Sequence, residues 1–229
     1  MAAKPGERKL QILQAVAQML EQPKGEKITT AALAARLELS EAALYRHFAS
    51  KAQMFEGLIE FIEETVFGLI NKITQEEKSG LKQIEAIIAM LLSFAQKNRG
   101  MTRVLIGDAL VNENERLQQR INQMMDRIEA TLKQSLRMAA TQGEMGEAVG
   151  GQAQSVPVSG TEMPPSSPSR TAAARTVSGE DISAHANLLV CYVIGRWQQF
   201  SKSGFTRDPL AQWSAQSAIL LGKSPKDKQ

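Results

Sequence analysis

Side chains that bond readily to phosphate oxygens are concentrated in one short stretch of this sequence. The stretch runs from Thr29 to Lys51 and reads TTAALAARLELSEAALYRHFASK. Hydroxyl and cationic side chains can donate hydrogen bonds to phosphate, and so can the free backbone N–H groups at the start of a helix. The candidate phosphate contacts are Thr29, Thr30, Ser40, Tyr45, His47 and Lys51.

Two small residues lie among these polar groups. Ala42 and Ala43 would let a helix approach the edges of bases closely, and their methyl groups can contact thymine methyls. Arg46 could bond to guanine or form a salt bridge inside the protein, and both interpretations stay open. The combination of small and phosphate-binding residues favours contact with double-stranded DNA.

The elements that would position these residues are two short helices that meet at Leu37–Ser40. In a helix-turn-helix the two helices pack closely, the joint is short, and the N-terminal end of the second helix enters the major groove. The small residues available for the close contact are Ala31, Ala34 and Ala35. Leu44 and Phe48, four residues apart, are predicted to point into the core. An alanine-rich helical hairpin that never contacts DNA is the competing interpretation.

Amphipathic helices are predicted along most of the chain. The first covers 7–21, and the second begins at Thr29 or Thr30, either of which can cap it. Ser40 caps a third helix, and Ser50 with Gln53 fits a capping box for a long fourth. Further helices are predicted from Gly80, over about 101–110, over about 112–138, from Glu180, and from Asp208–Pro209 to about Leu221.

Composition supports an all-α fold and excludes several kinds of site. Apolar residues make up 43% of the 229 positions and aromatic residues 5%, and no long alternation of apolar and polar residues predicts a strand. The single cysteine, Cys191, excludes an internal disulfide and a cysteine-based zinc site. The two histidines lie far apart in the sequence, and no hydrolase or metalloprotease motif is present. We therefore expect no enzymatic activity, no metal and no cofactor.

Charge is distributed unevenly. Residues 1–52 hold eight Lys or Arg and five Asp or Glu, so they account for the whole net charge of +3. An excess of positive charge at this end is what phosphate binding would require. The longest strongly apolar run, Leu188–Ile194, is far too short to span a bilayer. We expect a soluble cytoplasmic protein with no membrane partner and no small-molecule substrate.

Composition also predicts the domain organisation. Residues 1–52 would form the DNA-binding domain, and 53–138 with 180–222 a helical regulatory and dimerisation domain. Between them, 139–179 contains no Leu, Ile, Phe, Tyr or Trp but six of the 16 glycines and four of the eight prolines. Such a segment cannot bury enough apolar surface to fold, so it is predicted to be a disordered loop. The polar end, 223–229, is predicted to be a flexible tail.

The sequence ITTAALAARLELSEAALYRHFASKAQMFEGLIEFI resembles the DNA-binding domain of the TetR family of bacterial regulators. The matching positions are Thr29, Thr30, Leu44, Tyr45, His47, Phe48, Ser50 and Lys51. Glu38 stands where the family usually has glycine. The resemblance implies an N-terminal helix-turn-helix domain of three helices and a homodimer that pairs the eighth and ninth helices of each chain. Leu189 and Trp197 are candidates for that interface, and the alternative is that both belong to the core of one chain.

Four segments, two of which overlap that sequence, resemble the nucleoid-occlusion members of this family. They read SEAALYRHF, LIEFIE, MTRVLIGDAL and RLQQRINQMMDRIEA, and the resemblance covers about 9–138 and resumes weakly at RWQQFSKSGF. It implies a nucleoid-associated protein that binds chromosomal sites, engages the division protein FtsZ and inhibits Z-ring assembly. The matching FtsZ-binding positions are Phe61, Lys97 and Asn98. Phe61 could equally be core, and Lys97 and Asn98 could simply end a helix.

Two other functions are compatible with the sequence. A ligand-responsive repressor of the same fold would need an apolar pocket, which Met90, Met101, Met124 and Met125 could line, although methionines at helical spacing more often fill a core. A partner-binding module with a vestigial DNA-binding domain would bind DNA weakly and with little salt dependence.

Overall fold

The computed structural model describes residues 5–22, 28–111, 113–145 and 178–222. Every regular element within these ranges is a helix, in agreement with the all-α prediction. In chain order the helices are α1 (Pro5–Leu20), α2 (Thr30–Arg36), α3 (Glu41–Tyr45), α4 (Lys51–Glu76), α5 (Gly80–Lys97), α6 (Arg99–Leu105), α7 (Glu115–Thr141), α8 (Gly179–Lys202) and α9 (Trp213–Leu220). A short 3₁₀ helix, Asp108–Leu110, lies between α6 and α7.

Side-chain caps fix the starts of the helices around the predicted DNA-binding stretch. The hydroxyl oxygens of Thr29, Ser40 and Ser50 each accept a hydrogen bond from the backbone N–H three residues later, at 3.1, 3.1 and 3.2 Å. These bonds satisfy N–H groups that have no partner inside the helix. The predicted capping box at Ser50 is half formed, because the Gln53 side chain accepts from the Ala49 N–H at 2.8 Å and not from Ser50.

The ninth helix begins later than the sequence predicted. Asp208 and Pro209 form a turn, in which the Asp208 carboxylate accepts a hydrogen bond from the Leu210 N–H at 2.8 Å. Gln212 then has φ of +66°, in the left-handed region that cannot belong to a right-handed helix, so α9 starts at Trp213. The buried guanidinium of Arg196 donates to three carbonyl oxygens of this turn and holds it against α8.

The two ends of the segment predicted to be a disordered loop, 139–179, belong to helices or their caps. Helix α7 continues to Thr141, and Ser178 caps α8 through a complete capping box with Asp181. The amphipathic pattern of α7 extends through the buried Ala139, which explains the longer helix. The rest of the predicted loop, 146–177, and the predicted tail, 223–229, lie outside the described residues.

One hydrophobic core contains buried residues from each helix from α1 to α8, and Trp213 and Leu220 of α9 pack against it. Helix α7 packs extensively on both α5 and α8, α5 also contacts α8, and α4 lies against α5 and α7. Leu189 and Trp197 are both fully buried within the single chain, and the Trp197 indole N–H donates to the Leu91 carbonyl oxygen at 3.2 Å. Both side chains therefore belong to the core of one chain, which was the alternative interpretation of these two candidates, and neither reaches its surface.

Helix α6 joins the N-terminal helices to the rest of the protein. A Cβ atom on Gly100 would lie 1.8 Å from the carbonyl oxygen of Ala17 in α1, so only glycine allows this approach. Nearby, the Arg103 guanidinium donates to the carbonyl oxygens of Leu20 and Gln22, at 3.3 and 2.9 Å. A cation at the end of a helix satisfies carbonyl groups that have no partner inside it.

Candidate nucleic-acid interface and partner groove

The predicted helix-turn-helix is formed by α2, a short turn and α3, and we call Thr29–Lys51 the reading head. Glu38 lies in the turn with φ of +54°, the conformation for which the family resemblance favours glycine. The turn is closed by a hydrogen bond from the Leu39 N–H to the Ala34 carbonyl oxygen, at 2.9 Å. Ala34 is buried as predicted, but Ala31 and Ala35 are exposed.

The two faces of α3 differ as the sequence predicted. Leu44 and Phe48 are buried in the core, whereas the side chain of Tyr45 is exposed. Helix α3 ends at Tyr45, so Arg46 and His47 lie in the turn that follows it and not on the helix itself. Arg46 is exposed and forms no ion pair with any residue in the described ranges. Of its two interpretations, a salt bridge to one of these residues is therefore excluded.

The remaining candidates of the reading head differ in their exposure and in whether their hydroxyl protons already have an acceptor in the protein. Ala42 is exposed and Ala43 half-buried at the start of α3, where a base edge could approach. The hydroxyl oxygens of Thr29 and Ser40 accept from their capping N–H groups, so their protons stay available to a phosphate. Thr30 instead donates its hydroxyl proton to the Glu41 carboxylate, at 2.7 Å, and this bond ties α2 to α3.

Lys51, the last candidate of the reading head, forms an ion pair with Glu113. Glu113 lies 62 residues away in the sequence, just before α7. The sequence does not predict this pair, because the spacing of two charged residues so far apart in the chain does not show whether they are close in space. The residue that competes for Lys51 is therefore known only from the structure.

A groove between α4 and α5 brings together all three residues predicted to engage FtsZ, and we call it the partner groove. Its volume is about 340 Å³. The lining residues are Phe61, Thr65, Leu69, Met90, Ser93, Phe94, Lys97 and Asn98. Phe61 is half-buried in its wall and Lys97 is exposed at its end. The Asn98 side-chain amide donates to the Phe94 carbonyl oxygen at 2.8 Å, which fixes its orientation.

The four methionines considered for a ligand pocket do not converge on one cavity. Met101 and Met124 are buried in the core, and Met125 is half-buried against it, while Met90 lines the partner groove. A second cleft of about 320 Å³, between α4, α5 and α7, is lined mostly by residues of polar type, among them Gln83 and Ser135. Among the described residues, no group of His, Cys, Asp or Glu is arranged to hold a metal ion, and no helix could cross a membrane.

Comparison with protein families identifies two matching segments. Residues 12–58 match the family described as "Bacterial regulatory proteins, tetR family". Residues 78–152 match the family described as "Tetracyclin repressor-like, C-terminal domain", in its SlmA-like form. The first match contains the whole reading head, and the second contains the α5 wall of the partner groove.

Individual relatives are similar over almost the whole chain, further than the sequence motifs indicated. The nucleoid occlusion factor SlmA of Alteromonas mediterranea is 44% identical over 219 residues, which is 96% of each chain. SlmA of a Marinomonas species is 42% identical over 220 residues, again 96% of each. A TetR transcription regulator from Haloarcula marismortui has a similar structure, with a TM-score of 0.69 over 95% of this chain and 97% of its own, at 13% identity. That last likeness shows the shared fold.

Proposed function

This chain belongs to the nucleoid occlusion factor SlmA family of TetR-type bacterial regulators, and from that membership we propose that it binds specific sites on chromosomal DNA as a homodimer. Bound there, it engages FtsZ and inhibits assembly of the Z-ring over the nucleoid. The observation that carries the proposal is the similarity to SlmA relatives over 96% of the chain, which includes both the reading head and the partner groove. A nucleoid-associated cytoplasmic location follows from the same proposal.

DNA binding is supported by the exposed side of the reading head. Ala42 leaves room at the start of α3, and Tyr45 and Arg46 extend from its end. In helix-turn-helix proteins the N-terminal residues of the second helix contact base edges while flanking groups contact the backbone. Arg46 suits a guanine and Tyr45 a phosphate.

FtsZ engagement is supported by the chemistry of the partner groove. Phe61, Met90 and Phe94 give it an apolar wall, and Lys97 places a positive charge at one end. A partner segment with apolar side chains and a carboxylate would complement this surface, since a groove between two helices is a common site for a bound peptide segment.

Homodimer formation is supported by apolar residues that one chain leaves exposed on α8 and α9. Leu188 is 54% exposed and Ile219 81% exposed. The two helices lie side by side, because His185 bonds to the Leu220 carbonyl oxygen and the Tyr192 hydroxyl donates to Gln216. Leu188 and Ile219 replace Leu189 and Trp197 as the proposed interface residues. A dimer would hold two reading heads at the fixed separation that paired half-sites require.

A chromosome-wide map of the sites occupied by the protein in its own cells tests this function, and it can be made before the recognised DNA sequence is identified. Many dispersed sites that become sparse toward the replication terminus are expected of a protein that marks the nucleoid. One or two sites beside a single operon would contradict nucleoid occlusion.

A ligand-responsive repressor of the same fold is the second candidate, and the observation that favours it is the size of the partner groove. About 340 Å³ lies at the lower end of small-molecule sites. In that case the groove would hold a small molecule with an apolar body and a negative group near Lys97. The same chromosomal map distinguishes the two functions, because a local repressor occupies few sites.

A further inference from the structure

The ammonium group of Lys51 is already engaged inside the protein. Lys51 is the first residue of α4, directly after the reading-head helices, and its partner Glu113 lies between the 3₁₀ helix and α7. The ion pair therefore joins the part of the chain proposed to bind DNA to the part proposed to bind partners.

The surroundings of this pair make it stronger than an ordinary surface ion pair. The side chain of Glu113 is 18% exposed and that of Lys51 is 32% exposed, so water screens their attraction only in part. Lys51 Nζ also lies 5.7 Å from the centre of the Phe55 ring, whose face attracts a cation. The Glu113 N–H donates to the Leu110 carbonyl oxygen at 2.9 Å, which helps to fix the position of Glu113.

Resting on the DNA binding proposed above, we propose that Glu113 is a positioning residue that lowers the affinity of the reading head by holding Lys51 away from phosphate. A DNA phosphate has to compete with the Glu113 carboxylate for the same ammonium group. Glu113 contacts no DNA itself and acts only through Lys51. Because a phosphate contact carries no base information, removal of the competing carboxylate should strengthen binding to specific and non-specific duplexes alike.

Four forms of the full chain test this inference by equilibrium binding to one duplex over a series of salt concentrations. They are the unaltered protein, Glu113→Gln, Lys51→Gln and the double variant. Glu113→Gln should bind about fivefold more tightly, the upper end of what a partly exposed ion pair contributes. The double variant should lose this gain. The slope of log affinity against log salt should be steeper for Glu113→Gln than for the double variant by about 0.9, the value of one phosphate contact.

Two control variants separate the role of the ion pair from that of charge. Glu115→Gln removes the same charge at an exposed position two residues away and should change the affinity much less. Glu113→Asp keeps the charge and should retain the affinity of the unaltered protein. Thermal unfolding shows whether each variant folds, and Glu113→Ala, which also removes the carboxylate and should bind more tightly, replaces Glu113→Gln if that variant does not fold.

Two results would overturn the inference. One is a Glu113→Gln protein that binds no more tightly than the unaltered chain. The other is a gain that persists in the double variant, because it would then come from the lost negative charge and not from Lys51. Failure of the unaltered protein to bind duplex DNA at low salt is a different result, and it would remove the proposed function itself.

Discussion

Glu38 is a single residue whose backbone conformation destabilises the fold. Its φ of +54° places a side chain in the left-handed region, which costs a non-glycine residue about 1 kcal/mol. The turn between α2 and α3 nevertheless needs this conformation, because the next N–H bonds back to Ala34. The sequence alone could indicate this strain, since a glutamate stands where the family pattern has glycine.

Replacing Glu38 by glycine should therefore raise the free energy of unfolding by about 1 kcal/mol, because glycine adopts this conformation without strain. The measurement is thermal unfolding, in which the midpoint should rise by about 2–4 °C for a chain of this size. Glu38→Ala is the matched control and should give no such rise, since alanine keeps the strained Cβ. A rise of equal size in both variants would assign the effect to the lost charge.

Tyr45 and His47 belong to the reading head, where Tyr45 is exposed and His47 half-buried, and neither is a residue of the hydrophobic core. The double variant Tyr45→Ala, His47→Ala should weaken duplex binding at every salt concentration, since two proposed phosphate contacts are lost, while the unfolding midpoint stays the same. Fluorescence anisotropy with a labelled duplex at several salt concentrations measures the affinity. Unaltered affinity at every salt concentration would show that these residues lie outside the interface.

At the scale of helices, the sequence predicts helix starts that depend on local hydrogen bonds. It does not predict contacts between residues that are far apart in the chain. Ser40 and Ser50 mark helix starts because the cap bonds run only three residues along the chain. The start of α9 was mispredicted because the left-handed backbone at Gln212 follows from the packing of the turn on Arg196 and not from residue type. The contact between Lys51 and Glu113 is equally invisible in the sequence.

The α5 side of the partner groove offers a matched pair of charge reversals. Lys97→Asp, at the end of α5, should weaken binding to FtsZ and leave duplex binding unchanged, because it alters only the groove. Lys82→Asp makes the same change at an exposed position near the other end of α5 and should affect neither. Surface plasmon resonance with purified FtsZ compares the two. Equal FtsZ affinity for both variants would exclude Lys97 from the site.

In the whole molecule, the buried residues that stabilise one chain are different from the exposed residues proposed to form the dimer interface. Leu188→Glu with Ile219→Glu places charges on the exposed sides of α8 and α9, so it should produce a folded monomer. Trp197→Ala should instead lower the free energy of unfolding by about 3–5 kcal/mol, because it opens a cavity in the core. Light scattering after size-exclusion chromatography reports the mass of each. A dimer of unchanged mass in the Leu188, Ile219 variant would contradict the proposed interface.

The approach of Gly100 to Ala17 bears on how such proteins can be recombined. The contact leaves no space for even one methyl group on Gly100, so α6 would pack poorly on an α1 helix taken from a different relative. Arg103 also binds this end of α1. A chimaera that exchanges only the N-terminal helices between two relatives would therefore break this joint unless both carry the same fit. An engineer who wishes to transplant DNA specificity should move α1 and α6 together, although four other helices lie between them in the sequence, or alter only the exposed side of α3.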